Sequence, residues 1–159
     1  MTTKNTDLVS NFEATPPVLN NAAELAGVVR TAHGSVELAA GDSTDNDIVM
    51  LAPIPSNAAV PQLFIGSDTF GGSCTFNVGI YQTDGTVKDE DVFASSVADA
   101  AGMTDVRFEA ADLNTGSQKL WELAGDSTDP GGYFYIAITF DATGGTAGTL
   151  NWNINYVVN

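Results

Sequence analysis

From residue 150 to residue 158 the chain alternates, with Leu150, Trp152, Ile154, Tyr156 and Val158 at every second position and Asn151, Asn153, Asn155 and Val157 between them. Side chains of an extended strand point to opposite faces in turn, so this pattern buries one face and wets the other as a β-strand and not as a helix. The same period runs through Phe134, Ile136, Ile138 and Phe140 within 133–140, and through Phe76, Val78 and Ile80 within 74–81. Shorter apolar runs at 28–32, 36–39, 47–52 and 63–66 predict further strands. The first two read as a strand pair, or as one long strand interrupted at Gly34. Asp84-Gly85, following Tyr81-Gln82-Thr83, signals a reversal into Thr86-Val87. The last two strands, joined by the glycine-rich stretch 141–148, are expected to pair as an antiparallel hairpin.

Helical signal is confined to two stretches. Ser95-Ser96 ahead of residues 97–101 and Gly102 predicts a capped turn or two, and residues 117–125 repeat that logic with Ser117 as N-cap and Gly125 just past the end. Short strands with glycine-rich turns, and no long helices alternating with them, predict an all-β chain. The expected architecture is a β-sandwich, jelly-roll in type, over residues 27–159 with one or two short helical insertions. Residues 1–26 carry Pro16-Pro17 and no sustained period, which predicts an extended or flexible N-terminal arm. Its apolar side chains Leu8, Val9, Phe12, Val18 and Leu19 leave two readings open, a free leader or an arm that orders against a neighbouring subunit.

Composition limits function. The chain has 159 residues, and 5 Lys plus Arg against 20 Asp plus Glu give a net charge of −15. Such a balance argues against nucleic acid as a partner and against adsorption to an anionic membrane. Hydrophobic residues reach 43%, so the acidity is not that of a disordered chain. One cysteine, Cys74, allows no intramolecular disulfide and no cysteine-built metal site, and one histidine, His33, allows no histidine pair. Met1 is followed by polar residues instead of a basic and then an apolar region, so manufacture in the cytoplasm without a secretory signal is expected.

No catalytic constellation emerges. A Ser–His–Asp triad would need His33, and Gly-x-Ser-x-Gly is missing. Cys74 opens a predicted strand and reads as a buried, inert thiol, while His33 reads as a turn or surface residue. Gly71-Gly72 and Gly144-Gly145 lack the Lys-Ser/Thr of a phosphate loop. No cofactor is expected. Asp42, Asp45 and Asp47, like Asp89, Glu90 and Asp91, offer closely spaced oxygens, but without the spacing of an EF-hand loop. The echo of residues 41–45 in 125–129 (Gly-Asp-Ser-Thr-Asp) reads as repeated turn chemistry. Trp121, Tyr133, Tyr135, Trp152 and Tyr156 allow an alternative function, a sugar-binding face on a carbohydrate- or receptor-binding sandwich module.

Three segments, in their order and spacing, carry a resemblance. They are Asp47-Ile48-Val49-Met50-Leu51-Ala52-Pro53-Ile54-Pro55, then residues 76–85 (Phe-Asn-Val-Gly-Ile-Tyr-Gln-Thr-Asp-Gly), then Leu120-Trp121-Glu122-Leu123-Ala124-Gly125 with Asp129-Pro130-Gly131-Gly132-Tyr133. Together they resemble the small decoration or cement proteins on the capsids of tailed bacteriophages, marine ones included, over roughly residues 28–158. That resemblance implies a noncatalytic jelly-roll protein, commonly trimeric, on the outer surface of the virion. Its implied partners are the major capsid protein and its own copies; under the same resemblance the alternative sugar-binding module would belong to a phage tail apparatus. The arm is not part of the resemblance, and its five apolar residues are the expected contacts with capsid or sister subunits.

Overall fold

The computed structural model describes residues 4–99, 102–108 and 113–158. Eight strands are formed: β1 (Val29–Leu38), β2 (Ile48–Pro55), β3 (Ala58–Ser67), β4 (Thr75–Tyr81), β5 (Val87–Ala98), β6 (Thr104–Asp105), β7 (Tyr133–Ala142) and β8 (Gly148–Val158). They make two antiparallel four-stranded sheets, ordered β1-β8-β3-β6 and β2-β7-β4-β5. Successive strands switch sheets at every connection except β4–β5, which is the hairpin closed by Gly85 at φ +89°. Two interlocked Greek keys of this order are a jelly roll, as the strand pattern predicts.

The core lies between the sheets. Leu63, Ile65, Leu150 and Ile154 from one sheet meet Ile54, Phe76, Val78, Ile80, Phe134, Ile136, Ile138 and Phe140 from the other. Phe70 and Phe76 each pack edge-to-face on Phe140, with centroids 5.7 and 6.4 Å away. Each such side chain contributes about 1.5–3 kcal/mol by leaving water, and this burial fixes the register of every central strand.

Five sequence expectations need correction, the last of them at Gly34. β7 and β8 do not form a hairpin: β7 lies between β2 and β4, and β8 between β1 and β3. Both strands carry a full apolar face, and in opposite sheets those faces bury each other across the core. The connection between them is held by Gly144 N–H to the Ser43 carbonyl at 2.8 Å and Thr146 N–H to the Phe70 carbonyl at 2.7 Å. Second, the helix expected after Ser95-Ser96 is the end of β5, where Val97 pairs with Phe76 and Ala98 with Thr75. Ser96 sits in a bulge at φ +52°, giving its N–H to Asn77 Oδ1 and its hydroxyl to Asp141 Oδ2. Residues 100–101 of that expected helix lie outside the described residues.

Third, a short helix does form before Gly125, but it is α2 (Leu120–Leu123), with Lys119 as N-cap. Ser117 ends a separate 3₁₀ turn, Leu113–Ser117. Glu122 accepts the Lys119 N–H at 2.7 Å. Gly125, at φ +75°, closes the helix as expected, donating to the Glu122 carbonyl while Asp126 donates to that of Trp121. Fourth, the arm is not extended throughout. Asp7–Glu13 form a seven-residue helix, α1, which stops before Pro16. Asp7 sits in its first turn, where a negative charge is favoured, and Leu8 and Phe12 stand one turn apart.

Gly34 does not interrupt β1. It pairs with Trp152, and a β-carbon there would lie 2.6 Å from the indole Cζ2, so the glycine leaves room for the ring. Gly79 in β4 is tighter still, because a β-carbon would fall on the backbone of Asp89 and Glu90 in β5. A side chain swings away more readily than a hydrogen-bonded strand. We therefore expect Gly79→Ala to cost about 2–3 kcal/mol and Gly34→Ala about 1 kcal/mol, read by thermal or urea unfolding. Equal costs would show that the β5 backbone at Asp89 and Glu90 yields as easily as the indole.

Candidate functional site

Large apolar side chains left in water gather at one end of the sequence. Val9, Phe12, Val18, Leu19, Leu25, Val28 and Val29 are all exposed, and among the described residues only Ile48, Met50, Val87, Met103 and Tyr133 join them. Phe12 is 76% exposed and Leu19 is 96% exposed. Of the five apolar residues singled out in the arm, only Leu8 is half-buried, and α1 buries none of its residues. Hydrogen bonds knit the segment to itself: Asn11 Nδ2 to Asn20 Oδ1 at 2.7 Å, Asn20 Nδ2 to the Leu8 carbonyl at 3.1 Å, and Val18 N–H to the Asn11 carbonyl at 3.0 Å. The arm thus has a shape of its own while holding its apolar side chains outward. It joins the sandwich where Val29 pairs with Val157, at the end of β8 and the start of β3.

The other singled-out residues are dispersed. Cys74 is buried just before β4, and burial, with Asp99 and Asp141 nearby, raises its thiol pKa. His33 stands exposed on β1 in the opposite sheet, opposite Asn153, so the two do not form a catalytic pair. Among the described residues no three His, Cys, Asp or Glu side chains gather as a metal site would need. Several acidic residues bond nearby backbone: Asp42 accepts the Ala39 N–H and Asp47 the Thr44 N–H in the turn before β2, and Asp89 accepts the Asp91 N–H within β5. In the echoed segment, Asp126 pairs with Lys88 at 2.7 Å and Asp129 accepts Ser56 Oγ at 2.6 Å. The Ser56 hydroxyl and, after it, the Gly131 N–H hold the Asp129 carboxyl below the usual range.

The aromatic candidates form no common platform. Trp121, Trp152 and Tyr156 pack against the core, whereas Tyr133 is exposed on β7 in the other sheet from Trp152 and Tyr156.

Sequence reasoning missed Arg107, which is fully buried. Its guanidinium lies 4.8 Å from the Phe93 ring centroid and 4.6 Å from that of Phe108. Nε donates to the Val60 carbonyl at 2.6 Å and Nη2 to the Thr115 carbonyl at 2.9 Å. Burial lowers its pKa to about 10, against the opposing pull of Asp105, so it stays charged at neutral pH. Nothing in Thr104-Asp105-Val106-Arg107-Phe108 distinguishes it from a surface arginine beyond its apolar neighbours.

The fold matches chains of two bacteriophage capsids. One is from the capsid of Ralstonia phage GP4, with a TM-score of 0.62, 19% identity, and coverage of 84% of this chain and 86% of that one. The other is from the capsid asymmetric unit of cyanophage Pam1, with a TM-score of 0.54, 18% identity and the same coverage. At these identities the likeness is one of architecture. Since the covered shares are nearly equal, each matched chain is about as long as this one, and the likeness takes in nearly all of both. No protein-family model matches the sequence, and neither does any curated protein.

Proposed function

We propose that this chain is a noncatalytic virion structural protein, a decoration or cement protein on the outside of a phage head. The observation that carries this reading is the near full-length fold match, in both directions, to chains of two phage capsids. The three sequence segments that resemble decoration proteins support it independently. The sandwich is the rigid body, residues 1–26 are the attachment arm, and the partners are the major capsid protein and two further copies of this chain.

The mechanism is one of mass action. A protein that binds the assembled shell and not its dissociated subunits stabilises the shell by the free energy of that binding. Phe12, Val18, Leu19 and Val9 stand free to be buried against a neighbour, each contributing about 1.5–3 kcal/mol before ordering costs. Because part of the arm is already folded, less of that gain is lost in ordering it. The resemblance to decoration proteins implies three copies closing around a threefold position of the shell, each arm reaching the next subunit. The net charge of −15 keeps the protein off the packaged genome. Mixing purified protein with capsids assembled without it tests the reading: saturable binding in multiples of three per site is expected, with light scattering of the bound or concentrated free protein giving a trimer mass. Absence of saturable binding would end this assignment.

A further inference from the structure

The outer face of the β1-β8-β3 sheet is unusually free of charge for so acidic a chain. Register sets its side chains in four cross-strand rows: Thr31, Asn155 and Gln62; His33, Asn153 and Phe64; Ser35, Asn151 and Gly66; then Glu37 and Thr149. The outermost rows are tied internally. Thr31 Oγ1 donates to Asn155 Oδ1 at 2.9 Å, Asn155 Nδ2 to Gln62 Oε1 at 3.0 Å, and Thr149 Oγ1 to Glu37 Oε1 at 2.6 Å. In the two middle rows, no hydrogen bond joins the side chains of His33, Ser35, Asn151 and Asn153 to any described residue, and Asn153 Oδ1 is shielded from solvent without a partner.

A groove of about 420 Å³ lies on these middle rows, between His33, Asn151 and Asn153 on the sheet and Asp68 and Met103 at its sides. Gly66 shapes it, because a β-carbon there would meet Met103 Sδ at 2.9 Å and push that wall away. The volume is that of a small-molecule site, and its open polar groups are two amides and an imidazole. Asn153 Oδ1 is closed to solvent, so Asn153 meets a ligand through its Nδ2 donor, while the exposed Asn151 amide offers both a donor and an acceptor. Amide side chains bond vicinal hydroxyls by giving and accepting together. The protein's charge of −15, with Asp68 at the rim, disfavours an anion.

We propose that this groove binds a neutral saccharide unit, with Asn153 and Asn151 as its principal hydrogen-bonding residues. The site stands apart from the arm. On a shell carrying many copies, a use that rests on the proposed function, individually weak sites would add up to a firm hold on a polysaccharide. The test is ligand-observed NMR and calorimetry on the isolated full-length protein with lactose, maltotriose, chitotriose and 3′-sialyllactose. At least one neutral sugar should bind saturably with millimolar affinity, and Asn153→Ala should weaken it tenfold or more without lowering the melting temperature. Asn151→Ala should weaken it too, and deletion of residues 2–26 should leave it unchanged. No saturation by any neutral sugar up to about 50 mM would overturn the proposal. So would tighter binding of sialyllactose than of lactose, or undiminished binding by Asn153→Ala. Because the assay contains no capsids, its failure leaves the attachment reading standing.

Discussion

Deletion of residues 2–26 should leave the sandwich folded and remove its hold on the shell. The jelly-roll core draws on none of these residues, and the arm's hydrogen bonds run largely within the arm. Thermal stability should therefore move by no more than about 2 °C. Attachment should change far more, because Phe12, Val18 and Leu19 spend their apolar surface on water until a partner covers them. Losing three such burials is worth several kcal/mol, about 10³-fold in affinity even after ordering costs. Occupancy on undecorated capsids, titrated with full-length and truncated protein in low and high salt, measures the difference directly. High salt should not strip the full-length protein, since apolar burial is not screened as ion pairs are. Equal occupancy of both forms would show the arm to be a passive leader.

The second large effect lies at Arg107. Truncation to alanine removes the donor to the Val60 carbonyl, leaves the Thr115 carbonyl with the Gln118 N–H alone, opens a void between Phe93 and Phe108, and removes two cation–π contacts. These losses add to about 3–4 kcal/mol, or roughly 10 °C of melting temperature for a chain of this size. Arg107→Met keeps most of the stem's volume and avoids burying a charge, so it should recover about half of that loss. Capsid binding at a temperature where both variants are folded should be unchanged, because Arg107 reaches no surface. A methionine variant as unstable as the alanine variant would assign the whole effect to the hydrogen bonds.

What could be read from the sequence, and what could not, divides along physical lines. Period two marks which residues share a face, so Phe134 to Phe140 and Leu150 to Ile154 were legible as core. It is silent about which sheet a strand joins, and that is why β7 and β8 look like a hairpin while lying in opposite sheets. Ser95-Ser96 offers cap chemistry, yet pairing with β4 wins because Phe93 and Ala94 are buried there and Asn77 and Asp141 hold the bulge. The arm's helix did leave a signal, with Thr6 ahead of Asp7 and Leu8 four residues from Phe12, beneath the louder Pro16-Pro17. Arg107 left none, because its burial depends on strands and turns distant in sequence. The open middle rows of the β1-β8-β3 face were equally hidden, since they depend on register across three strands.

The proposed role is tested most directly by imaging the virion that carries this protein, with cryo-electron microscopy at a resolution that separates strands. The account predicts eight-stranded sandwiches in threes on the outer surface of the head, with density for residues 4–26 running from Val29 onto an adjoining subunit. Sandwich density confined to the tail, or particles that contain no copy of the chain, would contradict it.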